Sequence, residues 1–402
     1  MKMLDGVRVL DLTMWAFCPS AGAVLAEWGA DVIHIENPRS PDPMRLMPGG
    51  NLEPGGSHWL FKHYNRGKRA ITLDLANEEA REVLYDLVRE SDVFLTSFLP
   101  NTRQKLGFDI DQLRAINPNI IYAKGTGGGP LGPESHRGGY DGASWWLRGS
   151  LAATVMDVTQ TTTPSGMVGH GDGMSGLVFA GGIVAALFKR ERSGEAVVVD
   201  SSLLGTATWF NAPAIIASAV ETTPMMGKYV PREMGQWSGS TYRTADDRWL
   251  GLLHVGDHDS EFTILCEHLG RKELAVDTRF ADQSNRIANS SELRGIMDEI
   301  FATKTLAEWK TILLTSKGVW APAQTVEEMQ DDVQVVANRM IRTVNYGDSQ
   351  QPVIMPPIMF NEDAGPCDLA PNFNEHTDEV LQSIVGYDES KIAELRSAGA
   401  IA

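Results

Sequence analysis

Six short apolar runs rich in β-branched residues punctuate the first half of this chain: VRVLDL (Val7–Leu12), DVIHIE (Asp31–Glu36), AITLDL (Ala70–Leu75), DVFLT (Asp92–Thr96), NIIYAK (Asn119–Lys124) and AVVVD (Ala196–Asp200). A strand wet on one face alternates apolar with polar residues, whereas continuous runs like these suit a sheet covered on both faces. Between them the pattern becomes helical. Pro19–Gly29 is built of small residues and ends in glycine, and Glu78–Glu90 puts Val83, Leu84, Leu87 and Val88 on one stripe. Strand–helix alternation predicts an α/β fold with a parallel, doubly wound sheet.

From about Thr222 the character changes. A Gly-, Pro- and Met-rich stretch (PMMGKYVPREMGQWSGSTY) reads as a linker into a second unit, where TADDRWLGLLHV predicts strand–turn–strand. Amphipathic helices are expected near Glu261–Leu269, Ser291–Thr303 and Leu306–Ser316. A proline-rich stretch, Pro352–Pro371, leads to helices at His376–Val385 and Ser390–Ala398. The expected division is a large domain over 1–221, a small domain with linkers over 222–330, and a C-terminal return to the large domain over 331–402.

Composition then excludes function classes. With 35 Lys and Arg against 52 Asp and Glu in 402 residues, the net charge is −17, which argues against a general binder of nucleic acid or anionic membranes. An anionic ligand would need a local basic site. The longest apolar run, Gly176–Phe188, is shorter than the ~20 residues of a membrane span, and no apolar signal region follows Lys2 and Asp5. Three cysteines (Cys18, Cys266, Cys367) make no disulfide framework and fit a reducing compartment, so a cytoplasmic location is expected.

Few motifs carry chemistry. GTGGGPLG (Gly125–Gly132) follows a strand, but Pro130 stands where a dinucleotide fingerprint needs its third glycine, so it reads as a strand-end loop. His254 and His258 flank Gly256 and Asp257 in a turn-like setting without a third ligand, and no metal site is expected. Cys18, near a predicted helix N-terminus, is either a reactive thiol or a small buried hydrophobe. The loop NRGKRAITLDL concentrates Arg66, Lys68 and Arg69; it is either a solvated turn or a docking point for phosphates, to which Arg39, Arg45, Arg103 and Lys105 add if strand ends converge.

VGHGDGMSG (Val168–Gly176) is the most informative segment. Asp172 sits among Gly169, Gly171 and Gly173, directly before the apolar helical stretch Met174–Lys189. Spacing favours a helix N-cap, where the macrodipole welcomes a carboxylate. The same glycines would also let a substrate approach a nucleophilic carboxylate. The two readings are compatible.

The opening LDGVRVLDLT…SAGAVLAEWGADVIHIENP, the NRGKRAITLDL loop, NPNIIYAKGTGGGPLGP, RGGYDGASWWLRG, the GDGMSG turn, SGEAVVVDSSLLG and the closing APNFNEHTDEVLQSIVGYDESKIAELRSAGAI together resemble one family over nearly the whole chain. It is the class III CoA-transferases, which include formyl-CoA, carnitine and phenyllactate CoA-transferases and the related α-methylacyl-CoA racemase. The resemblance implies a Rossmann-like large domain, a smaller α+β domain and an interlocked-ring homodimer. It implies transfer of CoA from an acyl-CoA to a carboxylic acid, with CoA as substrate and no resident cofactor. Asp172 matches the family's catalytic aspartate, which carries an aspartyl-CoA thioester. Gly171 and Gly173 would offer backbone N–H groups to the oxyanion, and Asp141 and Tyr140 would support the site, Asp141 by orienting substrate or, alternatively, as a local hydrogen-bonding carboxylate. Ala16, Phe17, Arg39, Lys68, Phe98, Lys105 and Arg137 match the CoA-contacting positions. Trp145, Trp146, Trp209 and Trp237 fall in segments placed near the acyl pocket, which points to a bulky hydrophobic or aromatic acid; core or dimer interface is an equal alternative for them.

Departures bear on substrate. Ser97 replaces the asparagine of formyl-CoA transferases, Lys105 replaces a usual arginine, and Met234–Gly239 replaces their glycine loop, so oxalate and formate are not expected. Racemases need a second acid/base and carry histidine where this chain has Tyr140, with His136 four residues earlier. Transferase is therefore favoured over racemase, with a non-catalytic CoA-ester-binding protein as the third reading.

Overall fold

The computed structural model describes residues 2–155, 166, 168–220, 232, 235–253, 258–316, 318–347 and 349–402. The six β-branched runs form one wholly parallel sheet from β1 (Arg8–Leu12), β2 (Asp31–Glu36), β3 (Arg69–Thr72), β4 (Val93–Thr96), β5 (Ile121–Thr126) and β6 (Val198–Ser202), in the order β3-β2-β1-β4-β5-β6. Central β1 pairs Val9 with Val32 on one side and with Val93 on the other. The run Ala196–Asp200, expected to be covered on both faces, instead contributes a strand shifted toward its C-terminal end and partly exposed. As the last strand of the sheet it has a neighbour on one side only, so its outer residues meet solvent.

Helices cover both faces. Between the strands lie α1 (Phe17–Glu27), α2 (Trp59–Tyr64), α3 (Glu78–Arg89), α4 (Pro100–Leu106), α5 (Ile110–Ile116), α6 (Leu151–Val155) and α7 (His170–Ser193); α8 (Leu203–Phe210) and α9 (Ala212–Val220) follow β6. Period-two alternation divides the core. Leu10, Ile33 and Phe94 pack with Leu84 and Leu87 of α3, while Val9, Val32 and Val93 pack with Leu25 of α1 and Phe179 of α7. Each such fully buried side chain contributes about 1.5–3 kcal/mol. Helix α7 spans 24 residues and is long and apolar enough to cross a membrane, unlike the shorter run read from sequence. Here Phe179, Ala180, Ile183 and Leu187 bury one face of it. At Gly176 a β-carbon would overlap Ser20, so that glycine lets α7 approach α1 closely.

The described residues divide into two compact units: those among 1–156, 161–228 and 333–402, and those among 157–160 and 229–332. The second unit has an antiparallel sheet of β7 (Thr241–Arg243), β8 (Trp249–Leu253) and β9 (Val319–Pro322), with α10 (His258–His268), α11 (Gln283–Ala288), α12 (Ser290–Phe301) and α13 (Leu306–Leu313). Tyr242, Phe262, Phe301 and Trp309 fill its core.

The last stretch of the first unit comprises α14 (Val333–Ala337), a hairpin of β10 (Ile341–Tyr346) and β11 (Ser349–Ile354), α15 (Thr377–Val380) and α16 (Glu389–Ser397). This return seals the β3 edge of the large sheet. The His376 N–H donates to the Ala70 carbonyl at 2.9 Å, the Thr72 N–H to the Thr377 hydroxyl at 3.1 Å, and the Ala402 N–H to the Thr72 hydroxyl at 3.0 Å.

Candidate active site

In a parallel sheet the strands all end on one edge, and a crevice opens where the order reverses. Here that point lies between β1 and β4. A cavity of about 310 Å³ occupies it, lined by Trp15 after β1, Ser97 and Phe98 after β4, Gly125 of β5, Tyr140 and Asp172. Ser97 accepts the Met14 N–H at 3.1 Å, which ties the two loops together.

Asp172 arrives there on the first turn of α7. The helix begins at His170, its cap is Gly169 with φ +84°, and no side chain of that residue serves the cap. Asp172 is thus the third helical residue and not the N-cap that its spacing favoured. The capping carboxylate comes from thirty positions away: Asp141, 9% exposed, accepts the Gly171 N–H at 3.1 Å. Only glycine fits at 171, because a β-carbon would overlap the Trp145 ring and the Asp141 carboxylate. The Tyr64 hydroxyl donates to the Gly169 carbonyl at 3.0 Å, and the Ser20 hydroxyl reaches the Asp172 carbonyl at 3.1 Å. Three distant segments therefore fix this turn, and the Asp172 side chain is left for other work. The two glycine N–H groups expected as oxyanion donors are already engaged. The Gly171 N–H is given to Asp141, and the Gly173 N–H to the Gly169 carbonyl at 2.9 Å.

Burial, and secondarily the neighbouring Asp141 charge, push the Asp172 carboxyl up to about 7. Burial also raises Asp141, with the backbone N–H groups of the α7 start pulling the other way. Cys18 lines the same cavity but is fully buried, and burial together with the Asp11 and Asp172 charges holds its thiol well above the usual range. The reactive-thiol alternative is overturned; Cys18 is a neutral, buried group.

The basic residues divide sharply. Lys68, expected to meet CoA, is buried, and its ammonium donates to Asp11 at 2.7 Å, the Pro19 carbonyl at 2.9 Å and Asn65 at 2.8 Å. Arg66 is buried against Glu27, Arg45 against Glu36, and Arg103 pairs with Asp109 at 3.0 Å while holding the Phe98 carbonyl. Arg69 pairs with Asp31 at 2.6 Å. The basic loop is therefore an internal pairing device: a buried cation persists only with a partner, and this chain has carboxylates in excess. Of the cations expected at the ligand, those at the surface are Arg39, whose side chain is 77% exposed and 3.7 Å from Asp74, Lys105 in the last turn of α4, and Arg137, which pairs with Glu134. Phe17 and Phe98 line the Asp172 cavity, and Phe98 also lines an adjoining cavity of about 250 Å³ with Asp42, Asp74 and Phe108. Ala16, at the α1 cap, is buried against Met44, Phe61 and Tyr64 instead.

The tryptophans are also redistributed. Trp145 is 5% exposed in the core beneath the α7 start, with Trp146 stacked on it at 6.5 Å. Trp237 lies in the core of the second unit, edge-on to Phe262, and its backbone N–H donates to the Ser290 hydroxyl at 2.6 Å; Trp209 is 82% exposed. Neither Trp145 nor Trp237 is a free pocket wall. Trp15 is the tryptophan that lines the cavity, and sequence reasoning missed it. Its one signal was a bulky aromatic directly after the first strand, where loops of a parallel sheet carry function. Tyr64 and Asp42 gave no signal at all. Met234, His254 and the linker at Thr222 lie outside the described residues, and His258 opens α10. Among the described residues no group of three or more His, Cys, Asp or Glu could hold a metal ion.

A partly buried carboxylate in the switch-point crevice of a parallel α/β sheet marks that crevice as the candidate site. The chain belongs to CoA-transferase family III, whose model matches residues 4–377, and is an enzyme of that family. It is 30% identical to (R)-2-hydroxy-4-methylpentanoate CoA-transferase of Clostridioides difficile over 97% of each chain. It is 28% identical to cinnamoyl-CoA:phenyllactate CoA-transferase of Clostridium sporogenes, over 98% of this chain and 96% of that one. The crystal structure of a CAIB/BAIF family protein from Brucella suis superposes with a TM-score of 0.80 at 30% identity, covering 95% of this chain and 99% of the other.

Proposed function

We propose that this enzyme moves CoA from an acyl-CoA donor to a carboxylic acid with a bulky hydrophobic or aromatic tail, through an aspartyl-CoA thioester on Asp172. One observation carries the reading: Asp141 caps α7, so Asp172 is free at the switch-point cavity of a family III chain. In the first step the Asp172 carboxylate attacks the thioester carbonyl, and the C–S bond breaks to release CoA thiolate, leaving a mixed anhydride. The thiolate then attacks the aspartyl carbonyl and expels the donor acid as carboxylate. The incoming carboxylate attacks the aspartyl thioester, again releasing thiolate. That thiolate takes the new acyl group from the second anhydride and restores Asp172. Each intermediate is about as activated as the one before, so no nucleoside triphosphate is consumed.

CoA is long, and the two adjoining cavities that share Phe98 suit its extended form. Its phosphates would meet Arg39, Lys105 and Arg137 at the rim. The acid would enter among Trp15, Phe17, Phe98 and Tyr140, whose apolar area suits a bulky tail. A homodimer in the cytoplasm, with no nucleic-acid or membrane partner, completes the proposal.

The test is direct. The wild-type enzyme is incubated with an acyl-CoA and digested, and the peptide containing Asp172 is weighed. A CoA or acyl adduct is expected, absent in Asp172→Ala, with transfer falling by roughly three orders of magnitude or more. Transfer retained by that variant refutes the mechanism. α-Proton exchange into deuterated solvent with no acceptor acid present would favour the racemase instead.

A further inference from the structure

We propose that Trp15 selects the acid: clamped by Asp42 and set edge-on to Tyr140, it fits the Asp172 cavity to monocarboxylic acids with a flat or branched apolar tail. The inference rests on the transfer reading above for its chemistry, but not for its geometry.

Trp15 has φ +68°, a left-handed backbone that a bulky residue seldom adopts. Such an outlier survives only where its surroundings impose it. Asp42 does so here. Its Oδ1 accepts the Trp15 N–H at 3.2 Å and the Met44 N–H at 2.9 Å, and the carboxylate is 2% exposed. The Asp42 N–H in turn donates to Glu36 at 2.9 Å, and Glu36 is locked to Arg45 at 2.7 Å. The indole so placed meets the Tyr140 ring at 5.8 Å with planes at 89°. Trp15 is 36% exposed and Tyr140 62%, so the pair stands at the mouth of the cavity.

Among the described residues that line the cavity there is no Lys, Arg or His, and its one carboxylate is Asp172. A second carboxylate on the acid would face Asp172 without a counter-charge, in surroundings that already disfavour ionisation. An apolar tail has aromatic edges and faces to pack against instead.

The experiment compares kcat/KM for 3-phenylpropanoate, acetate and succinate in the wild type, Trp15→Gly, Trp15→Phe and Tyr140→Ala. Glycine is the chosen truncation because the left-handed backbone suits it. Wild type is expected to prefer 3-phenylpropanoate over both other acids by tenfold or more. Trp15→Gly is expected to lower the phenylpropanoate-to-acetate ratio by about tenfold, Trp15→Phe to keep most of it, and Tyr140→Ala, at an exposed position, to lower it by roughly threefold. Calorimetric binding of the same acids is expected to rank them alike without any turnover, so the proposal is decided even if Asp172 does not carry CoA. A wild type that prefers succinate overturns it, as does a ratio unmoved in both Trp15→Gly and Tyr140→Ala. Failure of the transfer reading appears separately, as Asp172→Ala retaining activity.

Discussion

Asp172 is held in a protonation state that its proposed chemistry has to overcome. With a carboxyl pushed up to about 7, only about half of the molecules carry the nucleophilic carboxylate at neutral pH. We therefore expect kcat/KM to rise about tenfold per pH unit below 7 and to level off above it, as read from initial rates between pH 5.5 and 8.5. A flat profile across that range would dismiss Asp172 as the titrating group. The same shift carries a stability consequence of definite sign. A carboxyl whose folded value exceeds its unfolded value binds its proton more tightly when folded, so folding weakens as pH rises from about 4 to about 7 and is level beyond. Asp172→Asn removes that loss, and its melting temperature relative to wild type is expected to climb through this window.

At the scale of elements, the start of α7 unites sequence that the chain keeps apart. Asp141→Ala removes the cap and is expected to cost about 0.5–2 kcal/mol in urea unfolding. Asp141→Asn keeps an acceptor for the Gly171 N–H but removes a charge. It should fold like wild type while the pH midpoint of activity drops below 7, though not to 3.8, since burial is the larger cause of the shift. An unmoved midpoint would assign the whole effect to burial. The strands were legible because burial on both faces writes itself into contiguous β-branched residues, as in Asp31–Glu36. The glycine-flanked Asp172 was legible for the same local reason. Its cap was not: local spacing points to Asp172 and cannot reveal a carboxylate that arrives from position 141. Lys68 misled in a like manner, since a cation in a loop looks free until the fold sets Asp11 beside it.

At the scale of the molecule, mutation can separate the buried, paired Lys68 from the exposed Arg39 and Lys105. Burial alone would raise the Asp11 carboxyl; Lys68 and His34 beside it win, and hold it at about 2. Lys68→Ala strands that carboxylate and is expected to cost about 3–5 kcal/mol, read as a lower urea midpoint. Arg39→Ala combined with Lys105→Ala is expected to leave the midpoint in place and raise the KM for an acyl-CoA about tenfold. Lys68→Ala folding as stably as wild type, with only KM raised, would restore Lys68 to the ligand site. The closing segment has a role beyond its own packing. By meeting the outer N–H and C=O groups of β3, residues from His376 onward blunt a margin that parallel sheets otherwise leave open to recruitment by neighbours. A chain cut before His376 would leave those β3 groups unpaired, and it is expected to self-associate where the full chain does not, as read by light scattering.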